Sequence, residues 1–235
     1  MFYPISKSEE KRLRQQQASS AEFDFERFCK EKNISSIWLE KDKKAQSKFL
    51  RNHRGRCPDF LCVKGENQIF VEVKTHTLLT NEARNRKMSQ IVQKKRSDGI
   101  SGTTIFEPFD PRPELKGVFE NDLKDTSKKF KNIKNENIFP RVLLLTSLFR
   151  SRIDLDIRAV FLGVYPSFYF SKNGEDAGSG WKKEHPGLFD STGSNVSAVV
   201  YWNNDLKRYE GIANPRARII FSEKDFKRFF GIPHV

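Results

Sequence analysis

The chain has 235 residues, with 43 Lys and Arg against 30 Asp and Glu, a net charge of +13, and 37% hydrophobic residues including 21 Phe. That apolar content supports a folded core and excludes wholesale disorder. No apolar run approaches the roughly 18–20 residues of a membrane span; the longest, Arg141 to Phe149, is strand-sized.

The length fits one domain over 1–235, with a polar, basic insertion at about 77–113 and a β-rich extension at about 150–235. The first residues, Met1-Phe2-Tyr3-Pro4 and then Lys7, Glu9, Glu10, Lys11 and Arg12, lack the apolar segment of a secretory signal, so a cytoplasmic setting is expected.

In chain order, Ser19-Ser20 are expected to cap a helix from Ala21 to Lys32, with Phe25, Phe28 and Cys29 on its apolar stripe and Asn33 near its stop. Ile34 to Leu39 reads as a strand. Two further strands, Phe60 to Val63 and Ile69 to Val73, flank Lys64-Gly65-Glu66-Asn67-Gln68, which has turn chemistry. Thr77 to Pro113 is broken by Gly and Pro, with one helix expected at Ala83 to Arg96. Glu114 to Lys131 is amphipathic, and Val142 to Thr146 has the continuous apolar run of a strand covered on both faces. Strands are then expected at Ala159 to Tyr165, Val196 to Trp202 and Ala217 to Phe221, with a Gly-rich loop from Asn173 to Gly180 and a closing helix from Glu223 to Phe230.

Cys29, Cys57 and Cys62 form no CxxC pair, and His53, His76, His185 and His234 are scattered, so a zinc cage is not expected and the cysteines read as core thiols. The charge is clustered instead. Lys43, Lys44, Lys48, Arg51, Arg54 and Arg56 lie in a stretch free of acids, as do Arg84, Arg86, Lys87, Lys94, Lys95 and Arg96. These twelve cations flank one short hairpin, which points to a shared basic surface for a polyanion, with nucleic acid the first partner. Neither stretch has the broad apolar face of an interfacial helix, so a membrane partner is not expected.

The hairpin itself carries the chemistry. A turn centred on Gly65-Glu66 pairs Val63 with Gln68 and Leu61 with Phe70, which sets Asp59 opposite Glu72 with Cβ atoms roughly 4.5–5.5 Å apart. Two such carboxylates repel unless a cation lies between them. Alternation puts Lys74 on the Glu72 face and turns Val71 and Val73 to the core. Hard oxygen ligands with open positions suit Mg²⁺, with an ammonium at hand to orient a water or stabilise charge on a phosphodiester.

Pro58-Asp59 followed by Glu72-Val73-Lys74 resembles the PD-(D/E)xK nuclease superfamily of restriction endonucleases and Holliday-junction resolvases. The resemblance spans roughly Glu22 to Ser147. It implies a restriction-endonuclease-like αβββαβ core, a central mixed sheet flanked by helices, with the further strands appended. It further implies that Asp59, Glu72 and the Val73 carbonyl hold Mg²⁺, with Mn²⁺ as a substitute, and that Lys74 assists the attacking water. A first-helix glutamate common in the family falls on Glu22, with Glu26 the alternative. The expected activity is metal-dependent, endonucleolytic cleavage of duplex or branched DNA without a small-molecule cofactor. The alternatives are an inactive DNA-binding subunit of the same fold and a basic RNA-binding protein. A homodimer would suit cutting both strands of a duplex, though no residue pattern demonstrates one.

Overall fold

The computed structural model describes residues 7–52, 55–75, 112–135, 138–146, 153–170, 176–203 and 206–232. Arg54, the expected helix over 83–96 with its six cations, and the insertion up to residue 111 lie outside the described residues. Helix α1 (Lys7–Glu31) leads into β1 (Ser35–Trp38), α2 (Lys43–Phe49) and the hairpin of β2 (Phe60–Lys64) and β3 (Asn67–Thr75). Next come α3 (Arg112–Lys131), β4 (Arg141–Thr146), α4 (Ile153–Leu162) and a second hairpin, β5 (Val164–Phe170) with β6 (Asp176–Lys183). A single turn, α5 (Leu188–Ser191), precedes β7 (Ala198–Asn203) and β8 (Arg208–Ala213), and the closing turn α6 (Glu223–Asp225) widens into a π turn over Phe226–Phe230.

The fold is α/β: a six-stranded mixed sheet in the order β1-β2-β3-β4-β7-β8, flanked by helices, with β5-β6 a separate ribbon. β3, β4 and β7 run parallel to one another, while the other neighbours are antiparallel. The hairpin has the expected register, Leu61 opposite Phe70 and Val63 opposite Gln68. Gly65 makes that reversal possible by taking a left-handed φ of 60°.

Several expectations fail for identifiable reasons. Ser19 and Ser20 lie inside α1, because the helix formers of Gln15-Gln16-Gln17-Ala18 carry it through them; its stop is as expected, with Asn33 at φ 54°. Ala159 to Leu162 ends a helix, its apolar run being the face that Ile157, Val160 and Phe161 bury, and a short apolar run does not distinguish helix from strand. Ala217 to Phe221 is irregular; the strand lies earlier, in β8, where the Phe226 ring approaches within 2.5 Å of the place a Cβ on Gly211 would occupy. Part of the expected Gly-rich loop, from Asp176 onward, belongs to β6. Pro113 stands in the first turn of α3, where its missing N–H is no loss, so the insertion gives way to helix at Arg112.

The sheet separates two apolar layers. One face packs Val71, Val73, Val142 and Leu144 against Phe25 and Cys29 of α1 and Phe226, Phe229 and Phe230 at the end of the chain. The other packs Leu61, Phe70, Leu143 and Leu145 against Phe49 of α2, Phe119, Leu123 and Phe130 of α3, and Phe161 of α4. Strand alternation therefore turns Glu72 and Lys74 toward α3. All three cysteines are free and buried. Among the described residues, no helix is long and apolar enough to cross a membrane.

The C-terminal end of α3 is stapled to the basic segment after α2. Asn132 accepts from the Asn52 N–H at 3.1 Å and donates to the carbonyls of Asn52 and Arg56 at 2.9 and 3.0 Å. The Arg51 N–H donates to the Asn132 carbonyl at 2.8 Å, and the Lys134 N–H to that of Phe49 at 2.9 Å. Asn132→Ala removes three half-exposed hydrogen bonds and is expected to lower the unfolding free energy by about 1–3 kcal/mol, read from urea denaturation.

Candidate functional site

Asp59 stands just before β2, and Glu72 lies in β3. Both are buried, Glu72 only 1% exposed. The Leu39 N–H donates to the Asp59 carbonyl at 2.9 Å, anchoring this position to the end of β1. One side-chain oxygen of Asp59, Oδ2, accepts the Val73 N–H at 2.7 Å. In an extended strand the N–H and C=O of one residue share a side, so the Val73 carbonyl faces the same edge.

Two carboxylates this close require a cation, and Lys129 from the last turn of α3 provides it. Its Nζ lies 2.7 Å from Glu72 Oε1 and 3.3 Å from Asp59 Oδ1. Lys74 reaches the same Glu72 oxygen at 3.0 Å and donates to Asp125 Oδ2 at 2.9 Å. Asp125, one turn before Lys129 on α3, also pairs with Arg56. The remaining Glu72 oxygen, Oε2, is sealed from solvent with no hydrogen-bond partner among the described residues.

The electrostatics follow from this crowding. Burial, then the charge of Asp59, push the Glu72 carboxyl up to about 7, against the pull of Lys129 and Lys74. Burial opposes the charge on Lys129, yet Glu72 and Asp59 hold its ammonium above the usual lysine range. Lys74 is likewise held up by Glu72 and Asp125 despite its burial. Asp125 stays below the ordinary carboxylate value because Lys74 and Arg56 outweigh its burial. The Glu22 carboxyl on α1 is raised by burial and then by the charges of Asp59 and Glu40. Glu26, the alternative, instead pairs with Lys30 one turn on, at 3.2 Å.

The hairpin and its motif thus bring Asp59, Glu72 and Lys74 together, with Glu22 close by. Sequence reasoning missed Lys129 and Asp125; their spacing of four residues on an amphipathic helix was the available signal. Of the basic segment, Lys43, Lys44 and Lys48 are exposed on or around α2. Arg51 and Arg56 are engaged within the chain: Arg51 Nε donates to the Ile133 carbonyl at 3.1 Å and its Nη2 to Asn135, while Arg56 holds Asp125. Among the described residues, no three His, Cys, Asp or Glu side chains gather as a metal cage. The Asp59 and Glu72 carboxylates and the Val73 carbonyl are the hard-oxygen groups here that could hold a small divalent ion. No family model, curated protein or solved structure matches the chain.

A carboxyl raised on folding binds more protons folded than unfolded, so the stability it contributes is complete below pH 4.5 and is lost as pH rises through about 7. Relative to Glu72→Gln, the wild type is expected to lose on the order of 3 kcal/mol of unfolding free energy across that window, measured by urea titrations at successive pH values without divalent metal.

Proposed function

We propose that this chain is a metal-dependent deoxyribonuclease of the PD-(D/E)xK type, hydrolysing phosphodiester bonds in duplex or branched DNA. The observation that carries this reading is the convergence of the Asp59 and Glu72 carboxylates on a single cation position, with the Lys74 ammonium against the same Glu72 oxygen. The element order supports it: α1, β1, β2, β3, α3 and β4 follow the αβββαβ order of a restriction-endonuclease-like core, with α2 inserted and β7 and β8 extending the sheet.

Asp59, Glu72 and the Val73 carbonyl would hold Mg²⁺ or Mn²⁺. The ion would lower the pKa of a coordinated water and polarise a phosphoryl oxygen. Lys74, fixed between Glu72 and Asp125, would offer its ammonium to orient an attacking water and to stabilise developing negative charge. Asp125 is a positioning residue for Lys74, and Arg56 holds Asp125 in turn. Glu22 adds a carboxylate from the opposite helix layer. The exposed cations around α2 supply attraction for the polyanion. A DNA substrate accords with a cytoplasmic, nucleoid-associated location.

Asp59→Asn, Glu72→Gln and Lys74→Met are each expected to lower Mg²⁺-dependent cleavage of duplex or four-way DNA at least a hundredfold, roughly the loss expected when a general base or charge stabiliser is removed. Binding of the same DNA in EDTA should persist. Equal cleavage by the wild type and Asp59→Asn would remove the reading.

An inactive DNA-binding subunit of the same fold draws on one observation, the neutralisation of both acids by Lys129. The two readings part on metal affinity. If the acids serve a metal, Lys129→Met removes a competing cation and should tighten Mn²⁺ binding about tenfold, followed by electron paramagnetic resonance. Absence of Mn²⁺ binding in both proteins favours the inactive subunit.

A further inference from the structure

A second cluster of charge lies outside the carboxylate site. Arg141, the first residue of β4, is 9% exposed, and its Nε is sealed from solvent without a hydrogen-bond partner among the described residues. Its backbone is fully used: the N–H donates to Ser197 Oγ at 3.0 Å, and the carbonyl accepts the Ser197 N–H at 2.6 Å. The same loop before β7 brings in Arg218, whose N–H donates to the Ser194 carbonyl at 2.9 Å. Arg51 approaches from the end of α2, braced on the Ile133 carbonyl at 3.1 Å.

The surroundings oppose the Arg141 charge. Burial lowers its affinity for the proton, and the neighbouring charges that add to this effect, Arg218 and Arg51, are also cations. A buried guanidinium Nε left as an unused donor, with cations as the ionic neighbours among the described residues, is unfavourable unless an anion completes it.

We propose that Arg141, Arg218 and Arg51 form an anion site that takes a phosphate group of a nucleic-acid backbone. Guanidinium forks match the oxygens of phosphate, and no proton equilibrium of the ligand is needed at neutral pH. The backbone source is favoured over a free anion by position. Arg51 directly follows α2, with its exposed Lys43, Lys44 and Lys48, and its own N–H is bonded to Asn132 at the end of the helix that carries Lys129. A backbone lying along this end of α3 would meet Arg51 together with the exposed lysines of α2. The site requires no metal and stands apart from cleavage, so its failure and that of the nuclease reading are separable.

The test measures binding of a labelled DNA duplex by fluorescence anisotropy in EDTA over a salt series. The proteins are the wild type, Arg218→Gln, Arg141→Met and, as a control, Lys182→Gln on the exposed part of β6. Arg218→Gln and Arg141→Met should weaken binding several-fold, regardless of sequence, and flatten the dependence of log K on log salt by about 0.9 per lost phosphate contact. Lys182→Gln should leave the slope unchanged. Arg141→Met keeps the aliphatic stem while removing the uncompensated charge, so its melting temperature without DNA should be no lower than the wild type's; should it fail to fold, Arg218→Gln carries the test alone. Unchanged affinity and slope in Arg218→Gln overturn the proposal. If inorganic phosphate raises the melting temperature of the wild type but not of Arg218→Gln while DNA binding is equal in the two, the site belongs to a free anion and the nucleic-acid assignment is overturned.

Discussion

The Lys129 ammonium shared by Asp59 and Glu72 is the constraint around which this half of the molecule is arranged. A carboxylate as deeply buried as Glu72 is tolerable only with a cation against it, and neither the hairpin nor the strand beside it supplies enough. Lys74 reaches one oxygen of Glu72 but divides its attention with Asp125. The last turn of α3 must therefore lie directly over β3, and the burial of Phe119, Leu123 and Phe130 on the same helix holds it there. Asn132, immediately beyond, then ties that end of α3 to the segment carrying Arg51 and Arg56. Packing of the helix, neutralisation of the acids and placement of the basic segment are thus a single arrangement.

What was legible in the sequence is what depends on neighbours along the chain. The hairpin register follows from a two-residue reversal with Gly65 at its corner, and with the register come the Asp59–Glu72 juxtaposition and the side on which Lys74 projects. The amphipathic stripe of α3 and the apolar run of β4 were equally readable, because their burial is written in period and composition. Lys129 was not: it is separated from Asp59 by 70 residues, and on α3 it is one lysine among several, Lys128 and Lys131 being its exposed neighbours. Only tertiary packing distinguishes the one turned toward the sheet. The same holds for Arg141, which reads from sequence as a cation bounding an apolar strand and proves to be the strand's buried first residue. Errors of element type had a related origin. The apolar residues ending α4 are covered by α3 and α5, and coverage on several sides erases the period that tells helix from strand.

The neutralisation of the acid pair also bears on how a polyanion could reach it. Asp59, Glu72, Lys74 and Lys129 sum to no formal charge, and Asp125 with Arg56 adds none. An uncompensated pair of carboxylates would repel a phosphodiester at the very place where chemistry on it requires close approach. With the lysines in place that repulsion is cancelled locally, and the excess of +13 carried by the whole chain is left to act outward. On the proposed reading, the field that would guide a nucleic acid is set by exposed cations such as Lys43, Lys44 and Lys48, whose effect weakens with salt, whereas the buried ion pairs beneath are largely shielded from it. Under that proposal, attraction and chemistry would fall to different sets of charges, one on the surface of α2 and the other beneath α3, joined through the end of a single helix.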